Sequence, residues 1–548
     1  MENLENNTTK RSDSGDAINS SLRQLRTATV VIGSTGAGYT AADCDYLCDG
    51  TNDLAQFNAA IGSMSSGGEV KVLNGEYIFT SPLVISASNI NLLGCGRGNT
   101  TLRMTGARNT NPGAANAQSN NAVIFLFGNN NLIEGFTLAH GTTDTSGISY
   151  GIYLPNYNGS NTITGNTFAN NNSSSNSYGI FTERGNGSNT VTDNVFSNYS
   201  DSSASYGMYM EHNDNIIMGN KCNNYSNNNN SYGIFLNRHG NTVTNNKCNN
   251  YSNDNDSYSY GIYVDSSTSN LVSSNTCACS GGNSYDIYIS GDNNTITGNM
   301  CDGGNVGNIY GIFMNGSNNT VTGNTCSNSN GGGGGDSYGI YIDTDSSNNT
   351  VTGNMCSNNS ATKDDSYISY GIFMQNGNKN TVTGNTCANG ANIGNSYGIY
   401  MNGGDSNIIT NNTCANSSYN ISGSYNSYGI YTNGSNNNVI TDNMCANFND
   451  NNSGSCYGIY IDDNSSGNTI SFVAAGKTDP FSGFALYIAG TGNEYNQIIN
   501  CNLHNWAQYG TGVFTTDGST ADTLPGSSTT IEDFSAIGTG SVAGFNMV

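Results

Sequence analysis

The chain has 548 residues and a formal net charge of −24, with 39 Asp+Glu against 15 Lys+Arg. That acidity argues against a nucleic-acid partner, and no apolar run approaches the ~20 residues that span a bilayer. With 34 Tyr and only 10% charged residues it is not a disordered chain, and 71 Gly without a Gly-X-Y period do not make a collagen.

In chain order, residues 1–40 are polar, and their first apolar run, Ala28 to Ile32, is too short for a signal h-region. The expectation is a protein made in the cytoplasm and not exported by the general secretory route, with 1–40 as an attachment segment. The 15 Cys, an odd number, are expected as thiols of a reducing compartment. Within 41–149, Leu54, Phe57, Ile61 and Met64 form one apolar helical face. Thr51 or Asn52 is expected to cap this helix, which is expected to cover the end of the structure that follows.

Residues 150–490 are repetitive. A SYGIY block begins at Tyr150, Tyr178, Tyr206, Tyr232, Tyr260, Tyr285, Tyr310, Tyr338, Tyr370, Tyr397, Tyr428, Tyr457 and, degenerately, Phe484, at spacings of 25 to 32 residues. An NTVTGNTC block follows, its central apolar residue 11 to 13 positions after the Tyr. Both blocks alternate with period two, are rich in Ile, Val, Thr and Tyr, and are bounded by Gly and Asn, which tolerate tight corners. Two short strands and one variable loop per period predict an all-β solenoid of parallel strands, with coils stacked at about 4.8 Å and a rod section roughly 60 Å long. Residues 491–548 lack the repeat and are expected to cap the far end.

The opening, CDGTNDLAQFNAAIGSM followed by GGEVKVLNGEYIF, resembles that of right-handed parallel β-helix proteins of the pectate-lyase superfamily, an opening shared by many bacteriophage tail spikes. The matching features are the Asp49-Gly50 turn, the short helix, the Gly67-Gly68 strand entry and the Gly75-x-Tyr77 step. The resemblance implies a right-handed parallel β-helix, a homotrimer and docking to virion tail or baseplate proteins. It does not imply an activity, because this fold hosts lyases, hydrolases and non-enzymes.

Equivalent positions of a β-helix stack into columns. Nine Cys, from Cys222 to Cys445, share one column and read as small buried hydrophobes. Asn166 to Asn443 form an amide column that supports the ladder. Tyr153, Phe181, Tyr209, Phe235, Tyr263 and their successors are expected to face outward, opposite Ile152 and Ile180. Such a strip reads either as cover for loops and sister chains or as a platform for polysaccharide. No metal or cofactor motif is present: Gly331–Gly335 lacks a following Lys-Ser/Thr, and Asp343/Asp345 and Asp462/Asp463 lack a spaced calcium loop.

Charge is concentrated on three coils. Glu183 and Glu211 are the only Glu of the repeat tract and occupy one column; Arg184 and His212 follow them, then Arg238, His239 and Asp265, with Lys221 and Lys247 nearby. Two carboxylates about 4.8 Å apart approach the roughly 5–5.5 Å of a retaining glycosidase. Glu183, Glu211, His212 and Asp265 are therefore candidate catalytic groups, and Arg184, Arg238, His239, Phe181, Tyr209, Phe235 and Tyr263 candidate substrate contacts. A surface salt-bridge ladder is the plainer alternative. The leading functional expectation is a tail spike or fibre that recognises cell-surface polysaccharide, with cleavage by a glycoside hydrolase or lyase step left open. A non-catalytic adhesin or surface rod and a free polysaccharide lyase or hydrolase are the alternatives.

Overall fold

The computed structural model describes residues 29–499 apart from 65, 106–120, 142–146, 156–158, 173–174, 186, 305–306, 331–334, 361–366, 392–393, 419–424, 447, 450–454, 475–482 and 490–494, together with 511–515 and 530–532. Residues 1–28, most of the expected C-terminal cap and most of the Gly331–Gly335 run lie outside them.

Every strand pairing among the described residues is parallel and joins one coil to a later one, nearly all in strict register: Tyr150 to Tyr178, Tyr178 to Tyr206, Val321 to Val351. The chain is the expected parallel solenoid. The SYGIY strands form a sixteen-stranded sheet, the aromatic wall. It contains the thirteen expected strands, two earlier ones at Leu83–Ile85 and Ala122–Leu126, and one later at Thr511–Thr515. The TVT and NTC strands form a second sheet, the threonine wall. A third side carries two separate five-stranded ladders of two-residue strands. The stacking begins inside the expected attachment segment, where Thr29–Ser34 pairs with Tyr46–Cys48 and Gly68–Val72.

The helix spans Leu54–Gly62 and buries Phe57, Ala60 and Ile61, with Phe57 edge-on to Tyr77 and Phe79. Its cap corrects the expectation of Thr51 or Asn52. Asp53 occupies the N-cap position without capping the helix, because its carboxylate accepts the Gly50 and Ile78 amides and ties the helix to the second coil.

Inside, Ile and Val of both walls, the Cys column and Phe168 stacked on Phe196 form one continuous core. All fourteen described Cys are free, and burial pushes thiols such as Cys222 and Cys279 well above the ordinary range. Three Asn ladders line the corners, of which the expected column is one. In that column the Asn299 amide N–H donates to Asn324 Oδ1, and Asn324 Nδ2 donates to the Ile296 carbonyl and to Asn354 Oδ1. A second ladder runs from Asn131 to Asn496. In the third, Asn198, Asn224 and Asn250 donate to the carbonyls of Tyr206, Tyr232 and Tyr260. The third ladder also dictates the Gly of SYGIY: a Cβ on Gly233 would lie 2.5 Å from the Gly261 carbonyl and 2.6 Å from Asn250 Nδ2.

One coil breaks this ladder in a compensated way. Asp286 replaces the Gly, while Cys279 and Gly303 replace two successive Asn. The buried carboxyl accepts the Cys279 and Gly303 amides, both at 2.9 Å, and so takes over the amide's task. Burial pushes this carboxyl well above the ordinary range. Asp286→Gly should leave two buried N–H groups unpaired and destabilise by about 1–3 kcal/mol for each. Adding Cys279→Asn and Gly303→Asn should recover the loss, measured by denaturant unfolding. Because the described thiols are free, reductant should leave the melting temperature unchanged in a thermal scan with and without dithiothreitol.

Candidate functional site at a bulge in the aromatic wall

The leading Tyr and the aromatic three residues later share the outer face, Tyr178 lying edge-on to Phe181 at 5.1 Å. The expectation placed only the second column there; the first was missed. Along the rod each column stacks face to face, as in Tyr206–Tyr232 at 4.6 Å and Tyr263–Tyr288 at 4.5 Å. The wall thus covers itself. Ring faces within the columns, including those of Phe181, Tyr209, Phe235 and Tyr263, are taken by their neighbours, and the outermost rings offer their edges.

Beyond the second aromatic runs a column of polar residues that includes Glu183, Glu211, Asn237 and Asp265. Tyr153 donates its hydroxyl to Glu183 Oε1, and Tyr209 to Glu211 Oε1 at 3.4 Å. Asn237 Nδ2 reaches Glu211 Oε1 at 3.4 Å, and the Glu211 amide donates to Thr182 Oγ1 at 2.7 Å. Burial and the adjacent Glu211 carboxylate push the Tyr209 phenol up to about 12, so it remains a donor.

Glu183 and Glu211 therefore stand together on the outer wall, half-exposed, but the register expected around them does not hold. Thr182 pairs with Met210, whereas Gly185, not Arg184, pairs with His212. Two residues, Glu183 and Arg184, oppose the single Glu211. This β-bulge is the one register shift in the aromatic wall among the described residues. Bulges re-aim side chains and recur beside active sites; here one turns Arg184 into solvent.

His212 points the other way. It is fully buried, and its Nδ1 accepts from Asn189 Nδ2 at 3.0 Å, which leaves the proton on Nε2. Asn189 cannot be turned over, because its Oδ1 accepts the Asn161 amide. Burial, then the Arg238 guanidinium, lowers the imidazole from 6.5 to about 4. His212 Nε2 and Arg238 Nε are both buried without a partner. Alternation along the strand separates His212 from the carboxylates, since Glu211 faces out and the next residue faces in. His239 is exposed and accepts the Thr268 amide at 2.9 Å, and half-exposed Asp265 accepts from Ser266 at 3.2 Å. Lys221 and Lys247 stack on each other on the threonine wall, away from the carboxylates. Neither Glu183 nor Glu211 pairs with Arg184 or Arg238; the Arg103–Glu76 ion pair lies on the opening coils. Among the described residues no group of three or more His, Cys, Asp or Glu could hold a metal ion, and no helix is long and apolar enough to cross a membrane.

Two family models match. One is described as right handed beta helix region and covers residues 232–394; the other, rhamnogalacturonase A/epimerase, pectate lyase-like, covers 42–263 and includes the bulge. The fold is a right-handed parallel β-helix, and the two models match its middle repeats and its opening coils. No curated protein matches it. Among solved structures, DFA-IIIase from Arthrobacter chlorophenolicus A6 without its lid aligns at 13% identity over 65% of this chain and 94% of that one, with a TM-score of 0.39. ORF18 of Geobacillus virus E2 aligns at 17% identity over 66% and 63%, with a TM-score of 0.34. The A-module of the Azotobacter vinelandii mannuronan C-5 epimerase AlgE6 aligns at 15% over 71% and 96%, with a TM-score of 0.27.

The His212 environment has a pH consequence. Its folded pKa lies below the unfolded value, so its contribution to stability is complete above about 6.5 and is lost as the pH falls toward about 4. Urea unfolding of wild type and His212→Gln between pH 4 and 7 should show a steeper acid-side loss in wild type.

Proposed function

We propose that this chain is a tail-spike-like rod that recognises cell-surface polysaccharide at the Glu183–Glu211 bulge and cleaves it there. The bulge carries the reading: it interrupts an otherwise regular wall where two half-exposed carboxylates occupy one column on adjacent coils, each accepting a tyrosine hydroxyl, with Arg184 exposed beside them. The pectate-lyase-like family model over the same coils supports a sugar substrate. One carboxyl would donate a proton to the leaving glycosidic oxygen while the other acts as base or nucleophile. The tyrosine donors would hold the two carboxylates in distinct orientations. Arg184 is the exposed cation beside the carboxylates, and exposed His239 on the following coil would offer its Nε2 to a sugar hydroxyl or acid group. His212, buried and neutral, lies beneath the strand, and Asp265 would extend the acceptor column. The homotrimer and the docking of residues 1–40 to a virion belong to the same proposal.

The test is a reducing-end assay on a panel of bacterial capsule and wall polysaccharides, with a glycan array in parallel. Glu183→Gln and Glu211→Gln should each lower depolymerisation by at least about 100-fold, with melting temperature and oligomeric state unchanged. Full activity in the double variant would remove the site. Array binding without turnover, abolished in the double variant, would reduce the role to adhesion.

A further inference from the structure

The threonine wall has a long uncharged section. Segments 271–277, 295–301, 320–326, 350–356, 381–387 and 408–414 contain no Asp, Glu, Lys, Arg or His. They stack in strict register, as in Thr295–Thr320–Thr350–Thr381. Their outward positions hold Thr, Met, Leu, Ile and Ser, and the Gly298, Gly323, Gly353 and Gly384 corners sit in the left-handed region at φ 62–64°. Exposed apolar groups concentrate here. Twelve large apolar side chains are exposed among the described residues, and seven stand on the threonine wall: Met300, Met355 and Ile408 within the uncharged section, and Ile216, Met218, Val439 and Met444 on coils outside it. Met300 and Met355 are 49% and 48% exposed at its centre. Exposed Asp292, Asp345 and Lys379 lie on the preceding turns, and Asp302 borders the other edge, a polar rim around an apolar centre.

We propose that this wall is where a second copy of the chain packs. Size fits that occupant: seven residues at ~3.3 Å by six coils at ~4.8 Å give roughly 23 by 29 Å. That is about 1,300 Å² over two copies, within the range of stable interfaces. Charge fits too. Two chains of −24 repel wherever their carboxylates meet, and the aromatic wall presents Glu183, Glu211, Asp265, Asp343 and Asp462 in one column. The six threonine coils are an uncharged surface on which copies approach without that cost. The aromatic strip, expected to serve an interface, has already spent its ring faces on itself. The proposal is independent of what the bulge binds.

The experiment is light scattering coupled to size exclusion, with sedimentation velocity, on the full chain. Wild type should have at least twice the monomer mass of 57.4 kDa. Met300→Glu with Met355→Glu should bring it to the monomer mass without changing the circular dichroism spectrum, because both side chains are half-exposed. Asn315→Glu on the opposite wall should leave the assembly intact. A monomeric wild type, or an oligomer of unchanged mass and dissociation constant in the double variant, would overturn the proposal. So would a monomer that adsorbs to insoluble polysaccharide and loses adsorption in the double variant, which would give this wall to a glycan surface instead.

Discussion

Everything in this rod depends on what happens to the backbone N–H groups at its corners. Between two short strands the chain turns, the ladder is interrupted, and amides face the interior, where an unpaired donor is costly. The Asn side chain resolves this coil by coil. Its Oδ1 takes the amide of the coil before, and its Nδ2 returns a hydrogen bond to backbone carbonyls and to the amide ahead. Each Asn is useful only if the next coil presents another at the same height. The ladder therefore enforces register, and register stacks every other column. His140 confirms the rule by exception: it occupies the Asn position and donates to the Tyr150 carbonyl in the same way. Asp286 does so more radically, moving the acceptor from one strand to another when the Asn is lost.

Much of this was legible because a repeat is read many times over. The period, two strands per coil, the inward Ile and Val, the Cys column and one Asn column follow from alternation and spacing. Lost were the details in which two residues differ by a bond rotation. The Gly of SYGIY lies within its strand, where a Cβ would meet the carbonyl of the next coil, and the aromatics on either side of it share one face, which simple alternation does not foretell. The signal for Asp286 was present, as one SYD among the SYG blocks, but its meaning required the simultaneous loss of Asn at Cys279 and Gly303.

The same assumption of register fails at the charged cluster. Glu183 and Glu211 share a column as spacing requires, yet one extra residue between Thr182 and Gly185 ends the correspondence between Arg184 and His212. No spacing rule distinguishes a bulge from a longer loop. Inside and outside were equally hidden at His212, a polar residue with no reason in sequence to be buried, until Asn189 is seen to hold its Nδ1.

The two walls divide the labour of a strongly acidic rod. On the aromatic wall, stacking satisfies the ring faces internally, and hydroxyls such as those of Tyr153, Tyr209 and Tyr431 turn toward the flanking acceptor column. What that wall offers a partner is therefore a line of hydrogen-bond acceptors and ring edges, suited to hydroxyl donors and disrupted at one place by the bulge. On the threonine wall the same stacking leaves methyl groups and Met side chains in solvent with no charge among them over six coils. A surface of the first kind discriminates by hydrogen-bond geometry; one of the second gains by leaving water. In-register repetition produces both, because it copies whatever one coil presents along the rod, whether a liability in solvent or a line of acceptors.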